Sequence, residues 1–294
     1  QRSFVSGTSF TCLIVGFLAL GGVGGYLVSK QLFKPVIDYS SLNEIDFEDD
    51  LTQLKKRYAS SNKTADLSRT FSPIELVEIG VDKIGSHEYV TSKQYGLVKA
   101  KVSGVTVNQT VRASSIKNGN KYFLENISKS NMVAEGRRFY QENENVKTYV
   151  GTKVEIDHAT WKESKSSSLT IEEHINKWGK DLSRPLIYIV SSKTLENGST
   201  ELTELGYKVK LQLNPVYSVL RYIRQMISIS GVSNPVFKSL ALTAELDKNL
   251  NLITVTGATI LSSNSKSINS SFFRSTFKII ARIVNSTNLI QNTI

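Results

Sequence analysis

The sequence predicts an α+β chain: an N-terminal transmembrane helix, then an antiparallel β-sheet with a few helices packed on it. Three observations predict this. Residues 3–29 carry no charge, from about Tyr89 the apolar period changes from 3.6 residues to 2, and turn signals such as Asn118-Gly119 separate the alternating runs. The 294 residues, 40% hydrophobic and 21% charged, are enough to bury a core. A single cysteine, Cys12, excludes an intramolecular disulfide framework and any zinc site built on several thiolates. Three histidines leave little material for a histidine metal site, and no cofactor or metal is expected.

The uncharged run lies between Arg2 and Lys30 and shows no polar stripe. As a helix its 27 residues would run about 40 Å, against a hydrocarbon core of about 30 Å. A buried core helix is the plainer alternative. A cleaved signal peptide is the sharper rival, because Ala19-Leu20-Gly21 offers small residues for cleavage. The run continues to Val28, which favours an uncleaved anchor. Cys12 precedes the apolar centre and does not fit a lipobox. Gly21 and Gly25 form a small-xxx-small pair suited to helix packing. The expected organisation is an anchor at 1–29, a juxtamembrane connector at 30–71 and one α+β domain at 72–294.

In the connector, Ile45, Phe47, Leu51, Leu54 and Tyr58 fall near helical spacing, with acids at Glu44–Asp50 and bases at Lys55–Arg57. A solvated, charged helix accounts for both runs. Ser72-Pro73-Ile74-Glu75 opens a helix that ends near Gly85, with a Ser cap, Pro at the first position and Glu at the third. Alternating runs from Tyr89 to Val150 predict a meander of four to six strands. Ser164–Ser168 reads as a connector. Thr170 caps a helix carrying Ile171, Ile175 and Trp178 and ended by Gly179. Leu186–Val190 reads as a strand that Asn197-Gly198 turns back toward Tyr207–Leu213. Asn214-Pro215 opens a helix over 215–229. Strands follow at Lys238–Leu246, Asn251–Ile260 and Phe272–Ile283.

No phosphate loop, nucleophile elbow or His-Glu-x-x-His motif is present. His87, His158 and His174 lie on separate elements without ligand spacing, and each reads as a surface or half-buried histidine. No catalytic residue is assigned, and the chain is not expected to be an enzyme. The charge is uneven: residues 30–85 carry 8 bases and 10 acids, residues 86–294 carry 27 and 16. Arg137, Arg138, Arg274, Lys278 and Arg282 are the candidate basic surface, suited to anionic head groups or acidic wall polymers. Plain solubility charge is the alternative, and no nucleic-acid module is visible.

The order of elements resembles the LolA/LppX-type lipoprotein-carrier superfamily of bacterial envelopes. The resemblance rests on Phe71-Ser72-Pro73-Ile74-Glu75-Leu76, Gln109-Thr110-Val111, Tyr122–Ile127, Arg137-Arg138-Phe139-Tyr140 and the stretch Tyr207–Tyr222, over residues 72–285. It implies a strongly curved half-barrel sheet with helices on its concave face, and no functional residue carries over. The reading that follows is a non-enzymatic module for a lipid or other hydrophobic ligand. It would be a single-pass protein of the cell membrane with its main domain extracytoplasmic. Val219, Tyr222, Ile223 and Met226 are the candidate lining of the ligand site, with ordinary core as the alternative for each. The other functional reading is an envelope sensor or structural adaptor acting through the anchor or protein partners.

Overall fold

The computed structural model describes residues 39–102, 105–131, 134–224, 236–262 and 272–283. The expected span at 3–29, Met226 and the end of the expected helix at 215–229 lie outside them. Among the described residues, no helix is long and apolar enough to cross a membrane.

The described chain is mostly antiparallel sheet. The strands are β1 (Tyr89–Val102), β2 (Val105–Asn118), β3 (Lys121–Ser130), β4 (Ala134–Glu142), β5 (Asn145–Thr152), β6 (Thr160–Thr170), β7 (Leu195–Leu202), β8 (Gly206–Leu213), β9 (Val236–Asp247), β10 (Leu252–Ser262) and β11 (Phe272–Ile283). They form one sheet in the order β6-β5-β4-β3-β2-β1-β11-β10-β9-β8-β7. Two meanders are thus joined along β1 and β11, with Val90 opposite Ile283 and Ala100 opposite Phe273. Among the described residues β6 and β7 are the outer strands, so the sheet does not close into a barrel.

The turns follow local chemistry. Gly119 supplies the positive φ of +57° that the β2–β3 hairpin needs. Asp247 closes the β9–β10 turn by accepting from the amides of Asn249 and Asn251, each at 2.8 Å.

Alternation along the strands gathers one face. The pairs Tyr207/Leu246, Val209/Ala244, Leu211/Leu242 and Leu213/Leu240 are all buried there. Following the register through β10, β11 and β1 to β5 places Val90, Ala113, Leu124, Phe139 and Val146 on the same face.

Among the described residues, α1 (Thr52–Ser60), α2 (Pro73–Ser86) and α3 (Ile171–Trp178) accompany the sheet, with a further helical stretch at 220–224. α2 packs on β7 to β10, and α3 packs on β5 and β6. The box expected at the start of α2 is formed: Glu75 accepts from the Ser72 amide at 2.8 Å, and Ser72 caps the Glu75 amide. α3 has the same arrangement from Thr170 and Glu173 and ends at Gly179 with φ +62°.

Four local expectations are corrected. Ser164–Ser168 belongs to β6. The register jumps from Tyr149↔Glu163 to Lys147↔Ser168, so a bulge absorbs the extra serines. Leu186–Val190 is not a strand. Leu186, Tyr188 and Ile189 are buried, but the Ile189 amide donates to the Ser218 carbonyl at 2.8 Å instead of joining a ladder. A short apolar run is read equally as a strand or as a buried crossing. Asn197-Gly198 lies inside β7, where Glycine 198 leaves room for Pro73; a Cβ there would sit 3.1 Å from the Pro73 Cβ. Asn214 caps a turn, accepting from Val216 and Tyr217, and the helix expected from 215 starts at Leu220; residues 220–224 of it are described.

The connector also differs from a solvated charged helix. Glu44–Phe47 is a 3-10 turn, and the α-helix starts only at Thr52. Tyr39, Leu54, Leu67 and Phe71 are buried in the main core, so residues 39–71 pack with the sheet as one unit.

α2 lies close enough to the sheet for its two glycines to differ. A Cβ on Gly80 would come 2.5 Å from Leu246 Cδ2 and 3.3 Å from the Leu250 carbonyl oxygen, whereas Gly85 has nothing within 4 Å. Gly80→Val is expected to lower stability by about 1–3 kcal/mol. Gly85→Ala is expected to raise it by about 0.5–1 kcal/mol. Urea unfolding of the two variants checks both signs.

Candidate functional site

The connection from β6 to β7 crosses the covered face from one outer strand to the other, through α3 and residues 179–194. Gly179 stops the helix, and the segment that follows has no regular structure. It is held by buried rings and side-chain turns. Tyr188 meets Tyr222 edge-on at 5.9 Å, and Tyr222 meets Phe237 at 5.7 Å. Thr194 Oγ1 donates toward the Ile189 carbonyl at 3.1 Å and accepts from the Ser191 amide at 3.1 Å.

Between this crossover and strands β1 to β3 lie two adjoining clefts, of about 110 and 90 Å³. Both are lined by Gln94, Ala113, Leu124, Lys180, Arg184 and Leu186. The first also reaches Asn126, Tyr222, Arg221 and Arg224. Ala113, Leu124 and Leu186 give each cleft an apolar floor. Lys180, Arg184, Arg221 and Arg224 supply cationic groups around it.

These cations are held differently. Arg221 pairs with Glu48, Arg224 with Glu44 at 3.2 Å, and Arg184 with Glu48 at 3.5 Å. The acids belong to the connector, which is tied down further. Ser191 Oγ donates to the Phe47 carbonyl at 2.6 Å, Lys193 Nζ to the Glu48 carbonyl at 2.8 Å, and Phe47 stacks on Tyr217 at 4.3 Å. The acidic run is therefore a strap over the crossover and the 220–224 helix. Lys180 has no hydrogen bond or ion pair to a described residue other than its electrostatic contact with Asp181. Burial lowers its ammonium to about 8 against the opposing pull of Asp181. An amine so placed is short of counter-charge.

Beside the clefts the covered face of β2 to β5 turns polar. Gln109, Asn126, Ser128 and Thr148 are buried, and Glu135 and Arg137 lie half-buried among them. Gln109 Nε2 donates to Ser128 Oγ. Gln109 Oε1, Asn126 Oδ1, Glu135 Oε2, Arg137 Nε and Thr148 Oγ1 have no partner among the described residues. Burial raises the Glu135 carboxyl above its usual range, with Arg137 opposing. Such groups are costly when dry, so this run marks a wet interior or a polar ligand contact. The sequence signal was present as polar residues at every second position of the meander, on the same parity as Val111, Ala113 and Leu124.

Of the residues expected to line a ligand site, Tyr222 reaches the first cleft, while Val219 and Ile223 are buried in the main core. Met226 lies outside the described residues. The basic candidates do not share one surface. Arg137 is on the covered face, 6.0 Å from the Trp178 ring, and Arg138 is on the opposite face, paired with Glu125. Arg274, Lys278 and Arg282 stand in register with Lys99, Tyr95 and Thr91 on β1.

His174 corrects the expectation of a surface or half-buried histidine: it is 1% exposed. It sits on the α3 face that also carries Ile171 and Trp178, meeting Phe139 edge-on at 4.8 Å. Among the described residues neither ring nitrogen has a partner, and no acid holds the ring as it would a general base. Among the described residues no group of three His, Cys, Asp or Glu could hold a metal ion.

Burial lowers the His174 pKa from 6.5 to about 4, with Lys180 adding to the effect. A depressed folded value means that the neutral ring's contribution is complete above pH 6.5 and is lost as pH falls through about 4. The loss has a slope of at most about 1.4 kcal/mol per pH unit. His174→Leu is expected to give a shallower acid limb between those values, read from melting curves at a series of pH values.

No protein-family model and no curated protein matches the sequence. Among solved structures, the chain is similar to LprF from Mycobacterium bovis, at 10% identity and a TM-score of 0.34, covering 73% of this chain and 94% of that one. It is similar to a DUF1329 family protein from Desulfovibrio piger, at 9% identity and TM-score 0.28, covering 76% and 95%. It is also similar to an outer membrane lipoprotein-sorting protein domain from Vibrio parahaemolyticus, at 6% identity and TM-score 0.25, covering 74% and 94%. At TM-scores this low these matches carry no argument about ligand or activity.

Proposed function

We propose that the chain is a non-enzymatic binding module for an anionic amphiphile such as a lipid. In this reading the open sheet is a half-barrel, and residues 3–29 hold it at the cell membrane with the sheet domain outside the cytoplasm. The observation that carries the reading is the pair of adjoining clefts under the crossover, apolar below and ringed by Lys180, Arg184, Arg221 and Arg224 together with Glu44 and Asp181. Lys180 stands there without a full counter-charge. The apolar floor takes hydrocarbon, and an anionic head group completes Lys180. As they stand, the clefts admit the end of an acyl chain. A longer chain enters as the 180–187 crossover, which contributes no strand to the sheet, shifts outward. The 27-residue uncharged run supports the anchor.

The strap favours a version of the sensor reading. A head group that reaches Arg184 or Arg221 competes with Glu48 for the same guanidinium groups. Occupancy then loosens the connector that leads back to residues 3–29.

The test is native mass spectrometry and lipid extraction of the full chain. One amphiphile per chain is expected. A stable chain that is empty after expression and takes up no added fatty acid would falsify the reading. Lys180→Met is expected to weaken fatty-acid retention about tenfold, the loss of one charge-assisted hydrogen bond. Glu48→Gln is expected to strengthen retention by freeing Arg184 and Arg221, and a fall in affinity would count against the competition.

A further inference from the structure

The face of the sheet away from the helices carries a second concavity, which meets the smaller cleft at Ile116, Tyr122 and Phe123. Phe123 pairs with Tyr140 across β3 and β4, and Arg138 with Tyr149 across β4 and β5. These residues alternate with Leu124, Phe139 and Thr148, so they face the other way. With Trp161 of β6 they line a groove of about 610 Å³, within the range of small-molecule and oligomer sites.

Trp161 is set in place by its neighbours. A Cβ on Gly136 would lie 3.0 Å from its Cη2, and the Arg138 guanidinium lies 4.2 Å from its ring centroid. Arg138 is in turn fixed by Glu125, with Nε and Nη2 at 2.7 and 2.6 Å from one carboxylate oxygen. The aromatic wall is thus preformed.

The charge in the groove is balanced, although the chain as a whole is +10. Arg138 is neutralised by Glu125 and Lys121 by Glu142 at 2.5 Å. Lys147 and Glu163 remain at the rim, exposed, one of each sign and with no ion pair to a described residue. A polyanion gains nothing from such a site, and neither does an anionic bilayer. Lys121, Arg138, Glu142, Lys147 and Glu163 set donors and acceptors beside the groove's apolar and aromatic walls. The matching chemistry is a neutral ligand with apolar faces and hydroxylated edges.

We propose that this groove binds a neutral oligosaccharide, whose pyranose C–H faces stack on Tyr140, Tyr149 and Trp161. Its hydroxyls bond to Lys147, Glu163 and the tyrosine hydroxyls at the rim. Tyr140, Tyr149, Trp161, Lys147 and Glu163 line this groove and neither of the clefts under the crossover.

The test is calorimetry of the full chain with chitohexaose and with cellohexaose, together with tryptophan fluorescence in a Trp178→Phe background. Saturable binding to at least one sugar, with a change in Trp161 emission, is expected. Tyr149→Ala and Trp161→Ala are each expected to weaken it at least about tenfold, the scale of one lost aromatic anchor. Where Trp161→Ala lowers the melting temperature, the exposed pair Lys147→Met and Glu163→Gln supplies the second probe. The same loss of affinity is expected of it at unchanged stability. Absence of heat and emission change with both sugars overturns the proposal. So does binding that all these variants leave unaltered. Self-association that Tyr149→Ala abolishes, with no sugar binding, assigns the groove to a second copy of the chain and overturns it equally.

Discussion

The molecule depends on one burial event, the closing of α2 and the crossover over the apolar face of β8, β9 and β10. Four cross-strand pairs, from Tyr207/Leu246 to Leu213/Leu240, present eight buried side chains to Ile74, Leu76, Val77 and Leu186. Each large apolar side chain so buried contributes roughly 1.5–3 kcal/mol relative to exposure. The other half of the sheet has no comparable source. Its buried cluster is small, Ala113, Leu124, Phe139 and Val146 beneath α3, and polar groups surround it. The meander β1 to β6 is therefore held largely through the β1–β11 seam to a half that can stabilise itself. This asymmetry leaves the clefts, the unpaired amine and the polar run together on the weakly packed side, where space and unsatisfied groups can persist.

The strands and the capped helices were legible because local chemistry dictates them. Ser72-Pro73 with Glu75, Thr170 with Glu173 and Gly179, and Gly119 at a positive φ each act within a few residues. What was not legible depends on residues far apart in sequence. Leu186–Val190 has strand texture, yet both outer strands are elsewhere and Ser218 takes its amide. Glu44 and Glu48 look like solvated acids until Arg184, Arg221 and Arg224 arrive from more than a hundred positions away. Arg137-Arg138 reads as a basic pair, but strand geometry sends one to each face. The candidate site was legible only at Tyr222. Lys180 gave no signal, because its meaning comes from the burial that the crossover creates.

The two faces of one meander carry opposite chemistries. Toward the helices, β3 and β4 present Asn126, Ser128, Phe139 and Arg137. Away from them, the same strands present Phe123, Tyr140 and Arg138. A one-residue slip in the β3–β4 register would exchange the two sets, burying the aromatic row and exposing the polar one. The β3–β4 ladder runs unbroken from Tyr122 opposite Gln141 to Lys129 opposite Ala134, so the whole row keeps one register.

The seam has a further consequence for how the chain is made. Among the described strands β1 is the first in sequence and its partner β11 the furthest from it, so Val90 waits for Ile283 until the intervening chain has been made. Until then the β1 edge offers a row of unpaired amides and carbonyls to any passing strand. Pairings between chain ends are slow to find, because the intervening loop must be closed before any contact rewards it. Biogenesis is the vulnerable period of this protein. A holdase that masks the β1 edge during synthesis would protect the chain through that period.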